Sequence, residues 1–276
     1  MDEAIRQRIT RIEERSRFAL RLVQDRRADR VRYLERHVEQ TRALLPNLLH
    51  HAAQLPILGL TMLAPYRRTV RRIEDDGQRP LLFVHGMNGG RGNFLPMRLF
   101  FRAAGRRRNY AIQFDESAGI EGMARQFIEF VEQIITVNHL GPAQQLDVVA
   151  HSLGGLVVRA ALCERAELRT RLHTIVTMGT PHGGTLLAKI YPLRIARELH
   201  PKAPIFAKLD AQTPWPGAPS YPRLISLWSR NDLILVPQTN ARLAGAENIE
   251  LSDYTHYDFL LDGANWNRVF DLVRES

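Results

Sequence analysis

The chain has 276 residues, 45% hydrophobic and 24% charged, with 18 glycines and 15 prolines. That is room for one large domain, or a domain with an appendage, and it excludes wholesale disorder and collagen-like structure. A single cysteine, Cys163, excludes an intramolecular disulfide. No paired Cys/His spacing points to zinc, so neither a metal nor a cofactor is expected.

The formal charge of +9 rests almost wholly on arginine, the lysines being Lys189, Lys202 and Lys208. It is concentrated early: residues 1–42 hold 12 arginines against 8 acidic residues, and 67–79 hold 5 against 3. Such a start suits an anionic membrane surface, nucleic acid, or a solvated, salt-bridged helix face. Residues 1–10 contain Asp2, Glu3, Arg6 and Arg8 and no apolar run. That is not a secretory signal, and the expected location is cytoplasmic, with peripheral contact to the inner membrane as a further expectation.

From Ile5 to Leu45 there is neither Gly nor Pro, and Ile5, Ile9 and Ile12, then Val31, Leu34 and Val38 recur at helical spacing. This predicts one long amphipathic helix or two shorter ones. Leu44–Ala64 is apolar and long enough to span a bilayer. Pro46, Asn47, His50, His51, Gln54 and Pro56 interrupt it, which favours a buried or interfacial helix.

After Arg79 the pattern alternates. Short apolar runs at 80–84, 110–114, 146–150, 174–178 and 224–228 read as strands buried on both faces. Helical stretches at 95–104, 122–139 and 155–167 lie between several of them. The prediction is an α/β fold, a mostly parallel sheet flanked by helices. Seven of the 15 prolines fall between Pro192 and Pro222, where the alternation lapses. Residues 185–222 are therefore expected to form an inserted cap.

The strongest chemical signal is Leu146-Asp-Val-Val-Ala-His-Ser-Leu-Gly-Gly-Leu-Val-Val158. A buried strand runs into Ala150-His151-Ser152-Leu153-Gly154 and then a helix, which lifts the Ser152 hydroxyl above the sheet edge at a helix N-terminus. Together with Phe83-Val-His-Gly-Met-Asn-Gly89 and Met178-Gly-Thr-Pro-His-Gly-Gly184, this block resembles the α/β-hydrolase superfamily, and within it the bacterial lipases and esterases. The resemblance runs from about Arg79 to the C-terminus, with Ala150 in place of the usual first glycine. It divides the chain into a basic helical region, 1–68, and an α/β-hydrolase domain, 69–276.

A serine needs a base, and in this fold the partners follow in the order Ser, acid, His. His256 is the one histidine beyond residue 200. Asp232, directly after the run at 224–228, is the expected acid, with Asp253 as its rival. By the same resemblance the backbone amides of Met87 and Leu153 form the oxyanion hole. His85 and His151 are expected to orient loops, Gly86 to allow the loop its turn, and His182 to shape the pocket wall. Cys163 is expected to be a small buried hydrophobe.

The resemblance implies a serine hydrolase acting on lipid-like carboxylic esters. A thioesterase or an acyltransferase would use the same residues, and a non-catalytic scaffold would lack one of them. An enzyme for apolar esters gains from an interface, so an anionic membrane rather than nucleic acid is the expected partner of the basic region.

Overall fold

Strand β1 (Leu81–Val84) is buried at every position, and its side chains divide by parity. Leu81 and Phe83 join one apolar cluster while Leu82 and Val84 join the other, as a pleated strand covered on both faces requires. The computed structural model describes residues 46–61, 70–191, 194–217 and 220–274. The chain divides into two units, Met1–Leu49 and His50–Ser276. The helix expected over 5–45 lies outside the described residues.

Six parallel strands build the sheet of the larger unit: β1, β2 (Asn109–Ala111), β3 (Leu146–His151), β4 (Leu172–Met178), β5 (Arg223–Trp228) and β6 (Glu247–Glu250), in the order β2-β1-β3-β4-β5-β6. The sheet begins at β1, adds β2 on one side and then grows from β3 on the other. Loops leaving the C-terminal ends of β1 and β3 therefore diverge and open a crevice, the usual ligand position in such sheets.

Helix α1 covers residues 46–61. It is followed by α2 (Leu95–Ala103), α3 (Gly119–Val137), α4 (Leu153–Glu164), α5 (Leu168–Arg171), α6 (Arg194–Glu198), α7 (Pro204–Asp210), α8 (Asp258–Leu261) and α9 (Gly263–Arg274). Phe127 and Val131 of α3 and Leu156 of α4 cover one face of the sheet. Met97 and Phe101 of α2 and Val269 of α9 cover the other.

Five strands fall where the apolar runs predict them. The second is shorter than 110–114, because its ladder ends with Ile112 N–H donating to the Phe83 carbonyl, and the Phe114 amide turns to the His85 ring. Strand β6 has no apolar run: as an edge strand with sequence Glu-Asn-Ile-Glu it is half-exposed. Between β4 and β5, Ile205, Phe206, Leu209 and Trp215 are buried in the cluster that α4 also joins. Arg159 of α4 donates to the Leu209 carbonyl at 2.7 Å, tying α7 to the body of the domain.

Helix α1 shows which face of its segment turns inward. His51 and Gln54, which look like interruptions of an apolar run, face inward with Leu58, and Gln54 is 6% exposed. Leu48, Leu49, Leu55, Ile57 and Leu60 face outward. No helix of the described residues is long and apolar enough to cross a membrane.

Candidate active site

The turn from β3 to α4 holds Ser152 at φ 53°, ψ −127°, a left-handed conformation costly for a residue with a side chain. The turn is tight because Gly154 has no Cβ: one built there would lie 2.7 Å from the Val84 and His85 carbonyl oxygens. Gly86, in the loop after β1, approaches as closely, its missing Cβ only 2.8 Å from that of Ser152. The two loops at the switch point are thus pressed together around the serine.

That second loop is pinned from several sides. Gly89 N–H closes a turn on the Gly86 carbonyl at 3.1 Å, and Gly90 N–H donates to Asn93 Oδ1 at 2.5 Å. The His85 ring accepts from the Phe114 amide through Nε2 at 3.2 Å, leaving Nδ1 to donate to the Gly86 carbonyl at 2.8 Å. Burial pushes the His85 pKa down, in keeping with this neutral form. Met87 lines the cavity above Ser152, and Leu153 opens α4. Among the described residues neither of these two amides donates to another protein group.

Beyond the elbow, Asp232 sits in the turn after β5, 1% exposed. Its Oδ1 accepts from the Ile234 amide at 2.9 Å and its Oδ2 from His256 Nδ1 at 2.8 Å. Among the described residues Nε2 of His256 has no hydrogen-bond partner, and the ring lines the cavity. Asp253 is exposed and makes no bond to His256. His151 donates from Nε2 to the His256 carbonyl at 3.0 Å, with ring centroids 4.6 Å apart. Burial, and secondarily the neighbouring His256, hold the His151 pKa well below its ordinary value, so its ring is a neutral strut.

Ser152 and His256 line one cavity of about 300 Å³, whose remaining walls are mostly apolar: Leu55 and Leu58 of α1, Phe94, Tyr191, Ile234 and Leu260. His182 is not among them. Expected in the pocket wall, it lies buried under the 180–184 loop, because Nε2 pairs with Thr177 Oγ1 at 3.1 Å and its carbonyl accepts from Arg159. The block around it serves the site from below. Gly179, at φ 55°, underlies the Asp232–His256 pair, and Thr180 Oγ1 donates to the Ser152 carbonyl at 2.8 Å. Cys163 is half-buried, its thiol against the Lys208 carbonyl. No cluster of potential metal ligands occurs among the described residues.

Sequence reasoning missed α1 as a wall of the cavity. The signal was present in His50, His51, Gln54 and Leu58, which share one helical face. Gln54 Nε2 donates to Asp258 Oδ1 at 2.5 Å, Thr255 Oγ1 donates to Gln54 Oε1 at 3.2 Å, and the His51 ring stacks on Tyr257 at 4.6 Å. All three contacts grip the loop that carries His256.

A parallel sheet with this strand order and a serine on the elbow after β3 defines the α/β-hydrolase fold. The chain has that fold, and its solved neighbours share it. Lipase B of Aspergillus fumigatus superposes with a TM-score of 0.60 at 14% identity, over 76% of this chain and 55% of that one. This chain therefore spans about half the length of that lipase. Bacillus licheniformis lipase BlEst2 in its mature form gives 0.57 at 18% identity, over 73% and 94%. A gene product of Listeria innocua gives 0.55 at 14%, over 72% and 95%. A family model described as a domain of unknown function, DUF7379, matches residues 59–195. Comparison with curated proteins returns no match.

Proposed function

We propose that the protein is a serine hydrolase that cleaves carboxylic esters with an apolar acyl group through an acyl-enzyme intermediate. One observation carries the reading: the buried Asp232–His256 hydrogen bond orients a ring in the same cavity as a serine held on a strained elbow. Because Nδ1 is engaged by Asp232, Nε2 is the base. It takes the Ser152 hydroxyl proton as Oγ bonds to the ester carbonyl carbon. The oxyanion that forms accepts from the Met87 and Leu153 amides, each donor worth about 2.7–4 kcal/mol in the transition state. Protonated His256 gives its proton to the leaving alcohol, and Asp232 stabilises the imidazolium without taking the proton. A water then repeats the sequence through the same base and releases the acid. The apolar walls of the cavity support a hydrocarbon chain rather than a small polar group.

The test is an ester panel of rising acyl length, with the free acid quantified, on wild type and Ser152→Ala. A fluorophosphonate probe should label Ser152 in the wild type alone. Turnover of Ser152→Ala at the wild-type rate refutes the mechanism. Acyl transfer to an added alcohol in place of acid release would mark an acyltransferase.

The proposed partner of the basic N-terminal region is an anionic membrane surface. The outward leucines of α1 support it, since arginine charge and an apolar helix face together suit a lipid interface. Co-sedimentation with phosphatidylglycerol vesicles, lost with neutral vesicles, is the expected result; retention on DNA instead would overturn it.

A further inference from the structure

One wall of the cavity precedes the whole sheet in the chain. Leu55, Leu58 and Gly59 of α1 face the same space as Ser152 and His256. The helix is firmly seated there: Leu58 is 5% exposed in the cluster that holds Phe94 and Leu260, and Gln54 is bonded to Thr255 and Asp258. Within this fixed wall Gly59 is anomalous. Glycine inside a helix costs about 0.5–1 kcal/mol relative to alanine, and is normally kept for a positive φ or a close approach. Gly59 has neither: its φ lies outside the positive range, and a Cβ there meets no heavy atom of the described residues within 4 Å. Gly59 lines the cavity, and among the described residues nothing fills the space a side chain there would start from.

The size of the cavity says what the space is for. About 300 Å³ is at the small end of ligand pockets, which run to about 1,000 Å³. A long hydrocarbon chain bonded at Ser152 has little spare room there, so an apolar opening in the wall would favour the longest chains. Leu55, 49% exposed, lies one helical turn from Gly59, and Leu60 beside it is 70% exposed, so a chain leaving there stays on apolar surface.

We infer that Gly59 is the notch through which the acyl chain leaves the active-site cavity, and that α1 thereby sets the acyl length the enzyme accepts. This rests on the ester-hydrolase reading. A Cβ at 59 meets no atom of the described residues, so a side chain there starts without a backbone clash.

The experiment compares the full chain with Gly59→Leu and Gly59→Ala on p-nitrophenyl butyrate, octanoate, dodecanoate and hexadecanoate. The expected result for Gly59→Leu is a fall in kcat/KM of about 10–200-fold on the two longest esters, the range for a steric change of one or a few methylenes, with butyrate within about twofold of wild type. Gly59→Ala should melt no lower than wild type, which separates a blocked notch from a damaged helix. A Gly59→Leu variant with the wild-type chain-length profile overturns the inference, as does a wild type inactive on the long esters but active on butyrate. Calorimetry on the Ser152→Ala background separates failure of the notch from failure of the ester reading. If no ester is hydrolysed through Ser152, the ester reading fails. Dodecanoate binding that weakens about tenfold on adding Gly59→Leu still supports the notch, and unchanged or absent binding overturns it.

Discussion

Replacing Asp232 with asparagine preserves its shape and removes its ability to accept two hydrogen bonds. Its carboxylate now accepts from His256 Nδ1 at 2.8 Å and from the Ile234 amide at 2.9 Å, in a position 1% exposed. Asparagine has a single acceptor oxygen. If that oxygen keeps Ile234, the new NH2 group faces His256 Nδ1, and the ring must carry its proton on Nε2, where it can no longer accept from Ser152. If the amide turns over to serve His256, its NH2 group meets the Ile234 N–H and a buried donor is left unpaired, at a cost of about 1–3 kcal/mol. The first arrangement is favoured, so the ring rests in the wrong tautomer. Tautomer exchange of this kind lowers kcat by about 10⁴-fold in serine hydrolases of unrelated fold, equivalent to about 5.4 kcal/mol. The assay is kcat on p-nitrophenyl butyrate for Asp232→Asn beside Asp253→Asn, with melting curves for both. Asp253 is exposed and should be silent. An Asp232→Asn enzyme that melts normally and keeps more than about a tenth of wild-type kcat would refute the assignment of the acid, and with it the tautomer reasoning.

Gly154→Ala should impair folding or activity strongly, because its Cβ would sit 2.7 Å from two backbone carbonyls that cannot swing away; a soluble variant with wild-type kcat and melting temperature contradicts the close approach. Asp147 is fully buried and bonded to Arg106 at 2.5 Å and Arg79 at 3.0 Å. Asp147→Asn leaves the buried Arg106 cation uncompensated and should cost about 3–5 kcal/mol in denaturant unfolding, with a loss below about 1 kcal/mol counting against it. His85, His151 and His182 all have pKa values pushed down by burial, so the unfolded chain binds more protons than the native one below the ordinary histidine pKa. Their contribution is complete above about pH 6.5 and is lost as pH falls, at up to about 1.4 kcal/mol per pH unit for each ring. Stability that stays flat from about pH 7 to about pH 5 would show that these rings are not held neutral.

The elements that position the site were legible because each obeys a local rule. Runs such as Leu81–Val84 are apolar without alternation because helices cover both sheet faces, and the small residues around Ser152 mark a turn that only small residues permit. Strand β6 escaped because an edge strand with polar flanks carries no such run. His182 was assigned to the pocket wall on the strength of its neighbours in sequence, yet whether a ring turns into a cavity or under a loop depends on Thr177 and Arg159, which approach from other elements.

By itself, then, the sequence determined the alternating α/β architecture, the elbow at Ser152 and its candidate partners, since periodicity, turn chemistry and chain order are local or nearly so. Tertiary structure alone decided which carboxylate meets His256, and which face of α1 turns inward. Asp253 is three residues from His256 and Asp232 is 24 away, yet Asp232 makes the bond, because the turn after β5 delivers it to the ring. In α1 the inward face carries Gln54 and His51 beside Leu58, because Thr255, Tyr257 and Asp258 offer the two polar side chains partners there. Hydrophobicity read along a helix ranks its faces by their affinity for oil, and it holds no record of what waits on the other side.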